Sequence, residues 1–79
     1  MDRIVKLNTI SEDKCVVVQR IENLDEKMRR RLNELGFVKN QKVSVVKNFK
    51  KSKNMLVVVR DCCLTLDYLL AEKVFVYER

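Results

Sequence analysis

The sequence contains no histidine, no tryptophan and no proline, and it has a single glycine, Gly36. Without histidine, the formal charge of +6 stays nearly constant across physiological pH. Without tryptophan, and with few aromatics that read as exposed, the chain has little with which to line a groove for proline-rich peptides. One glycine does not build a glycine-rich phosphate loop, no nucleophile stands beside a base, and no paired-carboxylate motif occurs, so an enzyme is not expected. Cysteine is scarce as well. Cys15, Cys62 and Cys63 are odd in number and lack both C-x-x-C spacing and partner histidines, which excludes a disulfide framework and a zinc site within one chain. Cys62 and Cys63, as neighbours on a regular strand, point to opposite faces and do not share one metal ion. The three thiols read as small apolar core fillers in a reducing cytosol, the other reading being a contact between molecules through an exposed thiol. No metal and no cofactor are expected. Long apolar runs are missing too: residues 1–10 carry Asp2, Arg3 and Lys6 and offer no signal-peptide core of roughly 7 to 15 residues. The longest apolar stretches fall short of the roughly 18 residues that span a bilayer, and a soluble, cytoplasmic protein is expected.

What is abundant is valine and positive charge. Seventy-nine residues suit one domain over 1–79, burying about 60 to 65% of its unfolded surface. Val16 to Val18, Val43 to Val46 and Val57 to Val59 form three valine-rich runs, and branching at Cβ favours the pleated strand. Strands are read over 15–20, with valines on both faces, over 42–48, over 55–60, over 62–66 and over 73–77, and 1–7 alternates weakly as a short edge strand. Seventeen basic against eleven acidic residues suit an anionic partner without choosing among nucleic acid, phosphate and an acidic protein surface.

The period changes in the middle of the first half. Leu24, Met28, Leu32 and Leu35 recur along one side of a helix of about three turns over 24–35. Asn23 reads as its N-cap, with Glu26 three residues on in a capping-box arrangement. At the other end Gly36 stands where a positive φ is required, and Phe37 is placed to pack on Leu32 in a Schellman motif. Within "RRRLNELGFV" (29–38), Glu26–Arg30 and Arg30–Glu34 are i,i+4 pairs of opposite sign, which leaves Arg29 and Arg31 freer. Asn40 suits the αL position of the following turn, residues 49–54 form a basic hairpin tip carrying Lys50, Lys51 and Lys53, and Asp67 caps a short helical turn over 68–72.

The stretch "MRRRLNELGFVKNQKVSVV", with the apolar strand, the "LTL" strand, the short helix and the valine strand after it, resembles the FeoA family over nearly the whole chain. The helix Met28 to Phe37 is similar to that family's LRxRLxxLGF pattern. The chain departs from the family at Lys39-Asn40, where Pro-Gly is common, in the lysine-rich 49–54 loop, and at Asp61, Cys62 and Cys63, where glycine tends to precede the "LxL" strand. The resemblance implies a mainly β fold, a small SH3-like β-barrel with one three-turn α-helix and a short helical turn before the last strand. It also implies a non-enzymatic cytosolic accessory protein acting on FeoB, a membrane transporter that carries a GTPase domain. The same fold occurs fused to metal-dependent repressors, but 79 residues leave no room for a helix-turn-helix.

A protein interface has an apolar centre and a charged rim, which nominates Leu35 and Phe37 flanked by Arg29, Arg30, Lys50 and Lys51 for an acidic surface of the transporter. The plainer reading makes Leu35 and Phe37 core and the charges a solvated face. Insertion into the membrane is not expected, and the chain is read as a monomer or weak dimer. The alternative function is a small basic barrel that binds nucleic acid. It is not favoured, because the five aromatics, Phe37, Phe49, Tyr68, Phe75 and Tyr77, show no interleaved stacking pattern and are read mostly as core.

Overall fold

The computed structural model describes residues 3–22 and 25–78. In chain order the elements are β1 (Ile4–Lys6), a 3-10 turn (Leu7–Thr9), β2 (Lys14–Ile21), α1 (Glu26–Leu35), β3 (Lys42–Phe49), β4 (Asn54–Val59), β5 (Cys62–Asp67), α2 (Tyr68–Ala71) and β6 (Val74–Glu78). The strands form one antiparallel sheet in the order β1-β6-β2-β3-β4-β5. The small barrel expected from the sequence is not closed by backbone hydrogen bonds, since no ladder joins β1 to β5 among the described residues.

Alternation along the valine runs builds the core. Cα register places Val16 beside Val43 and Val43 beside Val59, Val45 beside Val57, and Val18 beside Val76, and all of these side chains are buried. Leu7, Ile10, Leu32, Phe37, Met55 and Leu66 fill the same cluster, and no polar or charged residue is buried among the described residues. At about 1.5 kcal/mol or more for each large aliphatic side chain removed from water, this inner face is the main stabilising term. Register shifts between Val18 and Arg20 and between Val45 and Lys47 bend the strands and add twist, which lets the sheet curl around so small a core.

Both ends of α1 are defined by specific bonds. Asn23 and Leu24 lie outside the described residues, so the nominated N-cap and the first leucine of the stripe do too. The cap of the described helix is Asp25, whose Oδ1 accepts from the Met28 N–H at 2.8 Å. Glu26 is then the first helical residue, where its charge faces the positive end of the dipole, and it does not occupy the third position of a capping box. At the far end Gly36 has φ 110°. Its N–H donates to the Asn33 carbonyl and the Phe37 N–H donates to the Leu32 carbonyl, both at 3.0 Å, the pair of bonds that defines a Schellman motif. A Cβ at Gly36 would stand 3.1 Å from both Val59 Cγ2 and Arg60 Cδ, so the helix end sits directly against the β4–β5 turn.

With one glycine in the chain, other residues carry the remaining positive-φ positions: Asp13, Asn40, Lys53, Arg60 and Asp61. Asn40 behaves as expected at φ 73°, and its N–H donates to the Val18 carbonyl at 2.7 Å. Arg60 and Asp61, at φ 52° and 61°, make a two-residue hairpin turn without the Asn-Gly chemistry such turns favour. At the β5–α2 junction, Asp67 Oδ1 accepts from the Leu70 N–H at 2.9 Å, as its position in the sequence suggests.

The reading of the cysteines is overturned, since Cys15, Cys62 and Cys63 are all free and exposed. Cys62 and Cys63 begin β5, which has only β4 beside it. Cys15 pairs in register with the exposed Ser44, on the sheet face opposite Val16 and Val43. Composition assigned them to the core, but their strand positions put them at a sheet edge and on the outer face.

Three measurements check these points. Gly36→Val is expected to lower stability by about 1 to 2 kcal/mol, because it places a β-branched residue at positive φ and against Val59, and an unchanged urea midpoint would contradict it. Asp61→Gly is expected to raise the urea midpoint, by about 0.5 to 1 kcal/mol in stability, through relief of the turn. Titration of the native protein with a chromogenic disulfide is expected to count all three thiols without denaturant.

Candidate functional site

Helix α1 packs on the core with the face that carries Leu32, while Met28 and Leu35 are half-buried at its margins. Beside it, the Asp67-capped turn of α2 buries Ala71 and packs Tyr68 and Leu70 against the core. Four residues of helix do not hide three large apolar side chains, and Leu69 is left 66% exposed. Between the two helices runs a groove of about 710 Å³ lined by Lys27, Met28, Arg30, Arg31, Leu32, Glu34, Asp67 and Leu70. Its apolar lining is Met28, Leu32 and Leu70, and three cations from two successive turns of α1 stand along its rim.

The nominated residues do not come together as one surface. Arg30 lines this groove, and its only ion pair among the described residues is an exposed contact with Glu26 at 4.0 Å, so the expected Arg30–Glu34 pair does not form. Arg29 points to the other side of the helix, where its Nη1 donates to the Ile21 carbonyl at 3.2 Å, tying α1 to the end of β2. It lines a second, smaller groove with Val18, Gln19, Arg20, Ile21, Asn33, Phe37, Val38 and Lys39, of about 380 Å³. Arg29 is therefore anchored rather than free. Leu35 is half-buried against the core, and Phe37 has no exposed surface at all, so an interface centred on Phe37 is corrected: the Schellman turn directs that ring inward. Lys50 and Lys51 stand exposed in the β3–β4 turn and line neither groove beside α1.

Lys27, Leu69 and Leu70 do not stand out in the sequence, and Arg31 stands out there only as a freer cation. Lys27, Arg30 and Arg31 fall at i, i+3 and i+4, a spacing that marks one helix side, and three apolar residues after a capping aspartate on a short turn signal one that must face out. Chemically, the groove suits an apolar segment that carries acidic groups. Among the described residues no three or more of Cys, Asp and Glu are grouped to hold a metal ion, and no ionisable side chain is buried.

Comparison with known proteins agrees with this architecture. A family model described as the FeoA domain matches residues 5–78. No curated protein sequence matches the chain. Among solved structures, FeoA of Stenotrophomonas maltophilia complexed with zinc, described as a prokaryotic SH3 domain protein, is similar at TM-score 0.78 and 29% identity, with 91% of this chain and 88% of that one covered. An iron uptake regulatory protein (FeoA) is similar at TM-score 0.87 and 17% identity over 98% of this chain and 100% of that one. A manganese-dependent transcriptional repressor in complex with manganese reaches TM-score 0.90 at 16% identity, and this chain, covered over 100%, spans 38% of it. At such low identity the last two speak for the fold alone. The family match covers both helices and reaches into every strand of the sheet: this chain belongs to the FeoA family.

Proposed function

We propose that this protein is a non-enzymatic cytosolic accessory factor of bacterial ferrous iron uptake, which binds the cytoplasmic part of an FeoB-like membrane transporter and modulates it. Family membership supports the link to iron transport. The Stenotrophomonas relative, described in connection with activation of ferrous iron transport, is in keeping with it. No helix of the described residues is long and apolar enough to cross a membrane, so contact with a transporter would be made from outside the bilayer.

The observation that carries the reading is the groove between α1 and α2. Met28, Leu32 and Leu70 offer an apolar centre, and Lys27, Arg30 and Arg31, which outnumber the lining carboxylates Glu34 and Asp67, would steer an acidic, partly apolar segment of the transporter into it. Exposed Leu69 lines a separate groove with Asn8, Lys53, Tyr68 and Glu72 and is not part of this centre. Leu35 lies on the same helix, closer to the core. Arg29 on the far side of the helix, and Lys50 and Lys51 on the hairpin tip, would contribute to the general attraction of a negative surface without lining the contact.

The test is binding to the purified cytoplasmic part of the co-expressed transporter, followed in real time at low and moderate salt. Arg30→Glu with Arg31→Glu is expected to slow association on the order of tenfold at low salt and to leave the melting temperature nearly unchanged, since the ion pair lost is fully exposed. Met28→Ser, at the half-buried apolar centre, is expected to speed dissociation. Reversal of Lys50 and Lys51 is the comparison pair, with a smaller effect. Wild-type rates in the Arg30 and Arg31 variant at both salt concentrations would rule the groove out, and absence of binding by the wild-type chain would overturn the transporter reading.

A further inference from the structure

The outer face of the sheet at the β1-β6-β2 end is unlike the rest of the surface. Phe75 and Tyr77 sit two apart on β6, hence on one face, while their neighbours Val74 and Val76 point into the core. Register sets Ile4 of β1 and Val17 of β2 on either side of Tyr77, with Lys42 of β3 beyond Val17. In the next row Lys6 and Arg20 flank Phe75. Ile4 is 43% exposed, Phe75 and Tyr77 are partly exposed, and Lys6, Arg20 and Lys42 are exposed. The Arg20 guanidinium lies 4.5 Å from the centroid of the Phe75 ring. Glu22 pairs with that arginine, and no acidic residue occupies any of these positions.

In the sequence, nucleic acid is disfavoured because the aromatics show no interleaved stacking pattern and read mostly as core. Only Phe37 is wholly buried, and Phe75 and Tyr77 stand on the face away from the core. Their Cα atoms lie roughly 7 Å apart along the strand, so one base can take the Tyr77 ring and a second the Arg20 guanidinium that lies over Phe75. Lys6, Lys42 and the Glu22-paired Arg20 around two aromatics of the interior strand β6 favour a polyanion that also carries flat, unpaired rings.

From this we propose that the outer face of β1, β6 and β2, built on Tyr77 and the Arg20–Phe75 stack and bordered by Lys6 and Lys42, binds single-stranded nucleic acid. Two aromatic positions and their flanking cations match two or three nucleotides, with bases on Tyr77 and on the Arg20–Phe75 pair and phosphates on the lysines. Recognition is by stacking and charge, with little dependence on sequence. This face is not the groove between α1 and α2, and its occupation does not depend on a transporter.

The experiment uses the full chain and a fluorescently labelled oligouridylate of a dozen nucleotides, with anisotropy followed across a salt series. Binding is expected to weaken as salt rises, because each phosphate contact releases a counterion. Tyr77→Leu keeps an apolar cover over Val17 and removes the ring, and is expected to weaken binding on the order of five- to a hundredfold with its urea midpoint close to wild type. Lys6→Ala with Lys42→Ala is expected to lower the slope of log affinity against log salt by about 0.7 per lysine. A duplex of matched length is expected to bind more weakly than the single strand, and Arg30→Glu with Arg31→Glu to alter binding far less than Tyr77→Leu does. No binding at low salt, equal affinity for duplex and single strand, or wild-type affinity in a folded Tyr77→Leu protein would each overturn the proposal. So would a wild-type dimer in sedimentation that Tyr77→Leu converts to monomer, since the face would then belong to a second copy.

Discussion

Everything in this molecule depends on covering one apolar face of an open antiparallel sheet. The rows through Val16, Val43 and Val59 and through Val45 and Val57 give that face its content, and the two bulges curl it, but six strands without a closing ladder leave a side open. Helix α1 adds Leu32 to this core, and the turn at Gly36 sends Phe37 in beside it. Because Gly36 packs on Val59 and Arg60, the helix end, the core ring and the β4–β5 turn are held as one unit. A residue with a side chain at that point would have to displace either the helix or the hairpin.

The same packing explains where binding surfaces are available. A helix that must bury Leu32 leaves its flanks outward, and the flank beside α2 combines half-buried Met28 with Lys27, Arg30 and Arg31. The opposite flank is spent on structure, since Arg29 reaches back to the Ile21 carbonyl. On the other side of the sheet, strand alternation leaves Phe75 and Tyr77 outside because Val74 and Val76 are needed inside. Groove and outer face differ in chemistry: one is an apolar trough with a basic rim, the other a flat aromatic surface among cations.

Much of the fold was legible in the residues because it is written in local patterns. The valine runs are strands, Gly36 and Asp67 act at the positions their spacing indicated, and Asn40 takes the left-handed conformation that asparagine tolerates. The site was less legible. Arg29 and Arg30 are adjacent in sequence but stand about 100° apart around the helix, so the pair nominated as one rim serves two grooves. The cysteines were assigned to the core by their general preference for burial, which says nothing about which strand ends at a sheet edge.

By itself, the sequence determined the element types, the capped helix with its left-handed stop, the excess of positive charge and the lack of histidine, because each of these depends on residues a few positions apart or on composition alone. Only the tertiary structure decided that Phe37 is core, that Leu70 faces Arg30 and Arg31 across a groove, that Tyr77 lies between Ile4 and Val17, and that no ladder joins β1 to β5 among the described residues. Those are relations between residues distant in the chain. They are set by strand register and by which element covers the exposed side of the core, and neither leaves a mark on the local pattern.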